Sequence, residues 1–350
     1  MMNPDDEAIL PNSLGPVTIY ATVQVSRDHF TARICKNAVH WRRISFSQYR
    51  EDQMANIILF ISTVLIWGTT WIAIAMQVGP VPVLVSVFYR FATAAVLFLI
   101  VLIVMGKLKI PALKNQPFIL AQAFCLFSLN FICFYNAASY VPSGLISVIF
   151  SLATIYNAIN ARLFFGDAIT GRTLVAAALG ASGLVLLFGP DIIIHYNVDT
   201  WKGVSLSALG TLFFSLGNMV SRRNSAAGIT PATANAWGMT YGAIILLVLI
   251  AVTGTPVVAP PDTRYLLAML YLAAIGSVVG FTTYLMLVAR IGSSRAAYAT
   301  VLFPVVALSL STLYEGYQWT LLGGIGLLLT LAGNVVIFAK QPAPRKTVAA

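Results

Sequence analysis

Between Asn56 and Ala339 the chain alternates long apolar stretches with short polar interruptions, and ten such stretches follow one another. A helix rises 1.5 Å per residue, so about 20 apolar residues cross the roughly 30 Å of bilayer hydrocarbon. Backbone placed in lipid has to satisfy its own hydrogen bonds, and helices do this internally. The pattern therefore predicts an all-α integral membrane protein with ten transmembrane helices. The predicted spans cover 56–76, 83–105, 118–139, 143–164, 171–189, 203–221, 232–253, 266–289, 296–313 and 319–339, of which the fifth and ninth are short. Pro and Gly punctuate the joints, as in Gly79-Pro80-Val81-Pro82, Val141-Pro142-Ser143-Gly144, Gly189-Pro190 and Pro260-Pro261.

Charge sharpens this picture. Of the 350 residues, 59% are hydrophobic and 9% are charged, far below the quarter typical of soluble domains. The net charge of +10 does not form a nucleic-acid-binding face, because the Lys and Arg flank the apolar stretches. Eighteen of them fall on one side of the predicted membrane, and two, Lys202 and Arg264, on the other. Positive residues stay inside, so both termini are expected in the cytoplasm of a multi-pass plasma-membrane protein, the bacterial inner membrane in particular. Residues 1–53 differ in kind, holding six of the 21 Lys and Arg and six of the 11 Asp and Glu without a helical period. They read as a cytoplasmic extension, either disordered or lying upstream of a true start at Met54. Residues 341–350 read as a short cytoplasmic tail.

The chain also looks duplicated. Gly166-Asp167 precedes the fifth span and Tyr314-Glu315 precedes the tenth. Each of those spans is then rich in small residues, Gly180-Ala181-Ser182-Gly183 in one and Gly323-Gly324-Ile325-Gly326 in the other. Five helices per half is an odd number, so the halves, 54–189 and 203–340, enter the membrane in opposite senses. Two inverted five-helix repeats can present one central site to either side in turn.

Several stretches, in order, carry a family resemblance. They are Leu65-Ile66-Trp67-Gly68-Thr69-Thr70-Trp71, Pro82 with Tyr89-Arg90-Phe91, Gly166-Asp167, and Pro304 through Tyr314-Glu315-Gly316 and Trp319 into the Gly-rich tenth span. From about residue 55 to 340 the chain resembles the drug/metabolite transporter superfamily, in its EamA-type ten-helix branch. The resemblance implies a secondary transporter, commonly an exporter of amino acids, metabolites or toxic small molecules. Asp167 stands where that family usually has Glu, Tyr314 where Gly is common, and Ser151-Leu152-Ala153-Thr154 where a proline is frequent.

Arg90 is the sharpest single candidate, lying about two turns inside an otherwise uncharged span. A charge at mid-bilayer costs at least ~2.5–3.5 kcal/mol, so the side chain should face protein or a water-filled cavity. It either holds a substrate carboxylate or phosphate, or is satisfied structurally by carbonyls or headgroups. In the fourth span Ser147, Ser151, Thr154, Asn157 and Asn160 recur in steps of three and four, close to one helix face. That stripe is either the wall of a substrate cavity, centred on Ser151, Thr154 and Asn157, or interhelical hydrogen bonding. Trp67, Trp71, Asn130, Tyr135, Asn218, Trp237, Tyr241, Tyr284 and Tyr298 fit the same central cavity, with an interfacial aromatic belt as the alternative for those near span ends. Pro304 should kink the ninth span and could act as a hinge.

The sequence points away from other chemistries. Cys35, Cys125 and Cys133 show no CxxC or Cys/His spacing, so neither a metal nor a cofactor is expected. Gly180-Ala181-Ser182-Gly183 matches the GxSG of rhomboid-type intramembrane proteases, but that chemistry needs a His base and no span contains one. A channel remains as an alternative, although nothing resembles a selectivity filter. No P-loop is present. No span carries a central Asp or Glu; Asp167 and Glu315 sit at span ends, where a helix N-terminus favours negative charge. The expected partners are a small-molecule substrate and the lipid bilayer, and not nucleic acid; the oligomeric state is open, a homo-oligomer included.

Overall fold

A computed structural model of the chain describes residues 31–194, 197–291 and 299–338. The chain divides into two compact units, Met1–Gln53 and Met54–Ala350. In the first, the described residues from Thr31 onward are helical. The second is a helical bundle with no strand among its described residues. Eight of its helical segments are long and apolar enough to cross a membrane: α1 (Asp52–Ala75), α2 (Val83–Val104), α3 (Leu113–Ala137), α4 (Ser143–Phe165), α5 (Gly171–Gly189), α6 (Val198–Ala226), α7 (Pro231–Thr253) and α8 (Thr263–Leu287). Two shorter apolar helices follow, α9 (Ala299–Tyr314) and α10 (Leu321–Val336).

The punctuation in the sequence becomes helix ends. Pro82 and Pro142 directly precede α2 and α4, where a missing N–H costs nothing because the first N–H groups of a helix have no intrahelical partner. Thr230 caps α7 by accepting from the Thr233 amide at 3.3 Å, beside Pro231 in the first turn. Asn197 caps α6 through the Asp199 and Thr200 amides, both at 3.0 Å. Gly166 ends α4 in the left-handed conformation, with φ of 74°, which suits glycine. The sixth helix extends beyond the predicted 203–221. Its extra turns carry Asp199, Lys202, Arg222 and Arg223, the residues a hydropathy reading trims away.

Three internal irregularities escaped the apolar pattern. α3 widens into a π-helical stretch at Cys125–Leu129, and α8 does so at Tyr271–Val279. In each, a serine hydroxyl donates five residues back: Ser128 to the Ala123 carbonyl at 3.2 Å and Ser277 to the Leu272 carbonyl at 2.9 Å. These side chains satisfy carbonyls that the wider turn leaves out of the regular ladder. The fourth helix is interrupted at Leu152, between Ser143–Ser151 and Ala153–Phe165.

The bundle closes through small residues. α5 and α10 run antiparallel, because Gly183 lies against Gly326 and Thr330 while Gly333 lies against Ala176 and Gly180. A Cβ built on Gly183 would sit 2.5 Å from the Gly326 carbonyl oxygen. Lipid tails are as apolar as the helices themselves, so association rests on close van der Waals packing, and glycine permits the closest approach. α2 packs along α7, and α4 against α9. An aromatic core holding Trp71, Phe91, Phe127, Phe134 and Phe303 fills the interior.

Candidate functional site

Arg90 projects from α2 into this aromatic core and is 3% exposed. Its guanidinium stacks 4.4 Å from the Phe131 ring centroid and 5.3 Å from that of Phe91. Nε donates to the Ser277 hydroxyl at 3.4 Å, so the π-helical stretch of α8 supplies its polar contact. Nη1 is buried with no hydrogen-bond partner. Each such stacking contact contributes ~0.5–2 kcal/mol, so the two rings offset much of the cost of burying the cation and leave Nη1 as the unsatisfied part.

Arg90 lines a small chamber of about 70 Å³, together with Trp67, Trp71, Asn130, Phe134, Phe150, Phe214, Phe281 and Phe303. A second space of about 510 Å³ adjoins it and is lined by Thr154, Asn157, Asn218, Asn235, Tyr284 and Arg222 among others. Trp67, Leu126, Phe150, Phe214 and Phe281 line both spaces and form a throat between them. The rings pack edge to face, Phe150 on Phe214 at 4.6 Å and Trp67 on Phe281 at 5.7 Å. The larger space reaches the end of the bundle where Ser221, Arg222 and Pro231 lie.

Ser143 and Glu315 lie toward the opposite end, where Glu315 also lines a separate space. Both carboxylate oxygens of Glu315, just past α9, accept from the Ser143 amide at 3.1 Å, and Oε2 also accepts from the Ser143 hydroxyl at 2.7 Å. The Ser311 hydroxyl accepts from the Gly144 amide at 2.7 Å and donates to Glu315. The sequence placed Glu315 at the start of the tenth helix; it serves instead at the N-terminus of α4. Asp167 likewise does not cap α5, whose cap is Thr170. It pairs with Arg222 at 2.6 Å, and that hydrogen bond holds its carboxyl below the usual carboxylate range.

The polar stripe of α4 divides. Asn157 accepts from the Asn218 amide at 3.3 Å, and both line the larger space. Thr154 also faces it, but its hydroxyl donates to Asn334 on α10 at 2.7 Å, and Asn334 donates to Ser151 at 3.1 Å. Ser151 lines neither space. Asn160 donates to Ser215 on α6 at 2.8 Å, and the Ser147 hydroxyl donates back to the Gly144 carbonyl.

Arg90, Trp67, Asn130, Asn157, Asn218 and Tyr284 thus come together, with the Tyr284 ring 4.9 Å from that of Trp67. Trp237 and Tyr241 do not join them. Trp237 Nε1 donates to the Lys109 carbonyl at 2.9 Å, and the Tyr241 hydroxyl to Gln116 at 2.6 Å. Tyr135 is fully buried, and its hydroxyl donates to Gln77 at 2.8 Å, behind the chamber lining. Tyr298 lies outside the described residues. Pro304 lies inside α9, next to Phe303. The phenylalanines of the throat, Phe150, Phe214 and Phe281, were missed; Phe131 and Phe134 of the inner chamber were missed too, although with Phe127 they recur at helical spacings of four and three. Ser182 of the GxSG match is exposed, and its flanking Gly180 and Gly183 serve the contacts of α5.

The match of the chain to known proteins agrees with a membrane carrier. Residues 54–189 and 201–339 match the model of the "EamA-like transporter family". The "Uncharacterized inner membrane transporter YedA" of Escherichia coli (strain K12) is 28% identical over 297 residues, covering 82% of this chain and 92% of the relative. The "Probable amino-acid metabolite efflux pump" of the same organism is 22% identical over 288 residues, covering 79% and 92%. A solved crystal structure shares the fold with a TM-score of 0.59 at 17% identity, over 81% of this chain and 97% of its own.

Proposed function

The chain belongs to the EamA-like transporter family, and on that premise we propose that it exports a small organic solute by alternating access. The observation that carries this reading is the pair of joined spaces inside the bundle, which reach one end at Arg222. In this scheme the contact of Glu315 with Ser143 closes the other end. Loops at the open end hold the excess of Lys and Arg, which supports a reading in which that end and both termini face the cytoplasm. The solute enters from the cytoplasm, seats between the throat and Arg90, and leaves when the Glu315 end opens. Arg90, Trp67, Asn130, Asn157, Asn218 and Tyr284 contact it in this scheme, and Pro304 is the hinge.

Ten crossings and an inverted repeat complete the scheme. α9 and α10 are about 24 Å long by helical rise, short of the hydrocarbon thickness, and their flanks continue into the apolar residues 296–298 and 337–339. Helices five apart in sequence order pack on each other in α2 with α7, α4 with α9, and α5 with α10. The antiparallel course of α5 and α10 is what repeats of opposite sense require. The relative named as an amino-acid metabolite efflux pump supports export as the direction.

The test is counterflow in proteoliposomes containing the purified full chain. A carrier accumulates labelled solute against its gradient when preloaded with unlabelled solute. Flux that rises linearly with concentration, without counterflow, would show a pore and sink the proposal. Reporter fusions after Lys340 must report cytoplasm if the chain crosses ten times.

A further inference from the structure

The guanidinium of Arg90 has no carboxylate within ion-pair distance among the described residues, and its Nη1 lacks any acceptor. Besides Ser277, its polar neighbour is the Tyr135 phenol, an uncharged hydrogen-bond partner. The named neighbours of this cation are therefore aromatic rings and neutral hydroxyls, and it lines the inner chamber. Buried charges are generally paired, and an anion entering the chamber would find the Nη1 N–H free to donate.

The rest of the lining narrows the anion further. Among the described residues of both spaces no Asp or Glu occurs, and the second cation, Arg222, is already engaged by Asp167. Three of the amide oxygens along the path already accept a hydrogen bond, and that of Asn218 is the exception. Asn130 Oδ1 accepts from the Phe131 amide at 2.8 Å, Asn157 Oδ1 from Asn218 at 3.3 Å, and Asn235 Oδ1 from Gln122 at 3.2 Å. An ammonium group entering here would meet no free anionic acceptor. Neutral oxygens such as Asn218 Oδ1 and ring faces remain for it, without a counter-charge and under the repulsion of Arg90. The chamber of about 70 Å³ suits a compact head group, and the throat rings suit an apolar or aromatic body trailing into the larger space.

We propose that the solute is a monocarboxylate with an apolar or aromatic body and no fixed positive charge, its carboxylate seated on Arg90. This rests on the transport reading of the same cavity, but it concerns recognition and is tested by binding. Four phenyl compounds that differ at one end separate the chemistries: 3-phenylpropanoate, phenylalanine, phenethylamine and 3-phenylpropanol. Titration calorimetry on the purified full chain in detergent reads their affinities. The carboxylate is expected to bind at least tenfold more tightly than each of the others. Arg90→Gln is expected to remove that preference by at least tenfold, and Arg90→Lys to lose the larger part of it, since an ammonium does not reproduce the bidentate fork. Equal or tighter binding of phenylalanine, the amine or the alcohol overturns the assignment, as does binding of none of the four or indifference to Arg90→Gln. If Arg90→Gln does not elute as a folded protein, the four-compound comparison on the unaltered chain decides alone. Tight binding of 3-phenylpropanoate without its counterflow would refute transport and leave the ligand class standing. Counterflow of phenylalanine without binding of 3-phenylpropanoate would do the reverse.

Discussion

Glu315 reaches across the bundle to Ser143, 172 residues earlier, and receives both its amide and its hydroxyl. Pro142 precedes α4 with no side-chain cap of its own, so the first amides of that helix need partners from elsewhere. Glu315 and Ser311 supply them, and the carboxylate also meets the positive end of the helix dipole. In the proposed scheme this contact of one acid with one helix terminus holds the outer end shut.

Glu315→Gln tests the seal. The amide keeps the shape but offers one acceptor oxygen in place of two and turns a donor toward the Ser143 N–H. Charged hydrogen bonds of this kind contribute about 1.5–3 kcal/mol, so closure should weaken roughly 10- to 100-fold. The readout is the labelling rate of Ile74→Cys, which lines the inner chamber, by an impermeant maleimide added outside. Cys35, Cys125 and Cys133 are replaced with Ala beforehand. A rate that stays level or falls would mean that Glu315 does not hold this end shut.

At the other end Asp167 pairs with Arg222, and pH gives the test. The hydrogen bond from Arg222 lowers the Asp167 carboxyl, and both side chains are half exposed. A carboxyl depressed in the folded state contributes fully above its unfolded value of about 3.9 and loses that contribution as pH falls through the folded value. Asp167→Asn should therefore lower the melting temperature in detergent at pH 7. The difference from the unaltered chain should persist to about pH 5 and fade below pH 4, and 1 M salt should shrink it at any pH. A gap that widens on acidification contradicts the pairing.

The architecture was legible because hydropathy acts over twenty residues at a time, and helix starts such as Pro82 and Pro142 carry local signals. Arg90 was legible for the same reason, as one charge set against an apolar background. Three-dimensional partnerships were not. Nothing near Glu315 in the sequence names Ser143, and nothing in the stripe of α4 tells Ser151, tied to Asn334, from Asn157, which faces the cavity with Asn218. Trp237 and Tyr241 have the composition of cavity residues, but the Lys109 carbonyl and Gln116 capture them. The π-helical turns at Ser128 and Ser277 left no apolar signature, since a widened turn shifts register without changing hydropathy.

Glycine positions on α5 and α10 separate contact from composition. Gly183→Ala would force a methyl to 2.5 Å from the Gly326 carbonyl oxygen, so the helices must move apart at a cost of about 1–3 kcal/mol. Gly324→Ala meets nothing within 4 Å and should be neutral, or stabilising by up to about 1 kcal/mol through helix propensity. Unfolding by sodium dodecyl sulfate in mixed micelles measures both. Equal behaviour of the two variants would refute the close packing of these helices.

Asn334 and Asn157 predict opposite outcomes for function and stability. Asn334 closes a loop with Ser151 and Thr154, away from the throat. Such interhelical bonds contribute about 0.6 kcal/mol each and at most about 1.7 kcal/mol, so Asn334→Ala should cost about 1–2 kcal/mol of stability. Solute affinity should change less than twofold. Asn157 bonds Asn218 at a looser 3.3 Å with both side chains at the cavity wall, where water or solute can replace the partner. Asn157→Ala should therefore cost less than about 0.6 kcal/mol of stability but shift the half-saturating solute concentration at least fivefold. Micelle unfolding and saturation of counterflow give the two axes. If Asn334→Ala altered affinity and Asn157→Ala only stability, the cavity wall would have to be redrawn on the α10 side of α4.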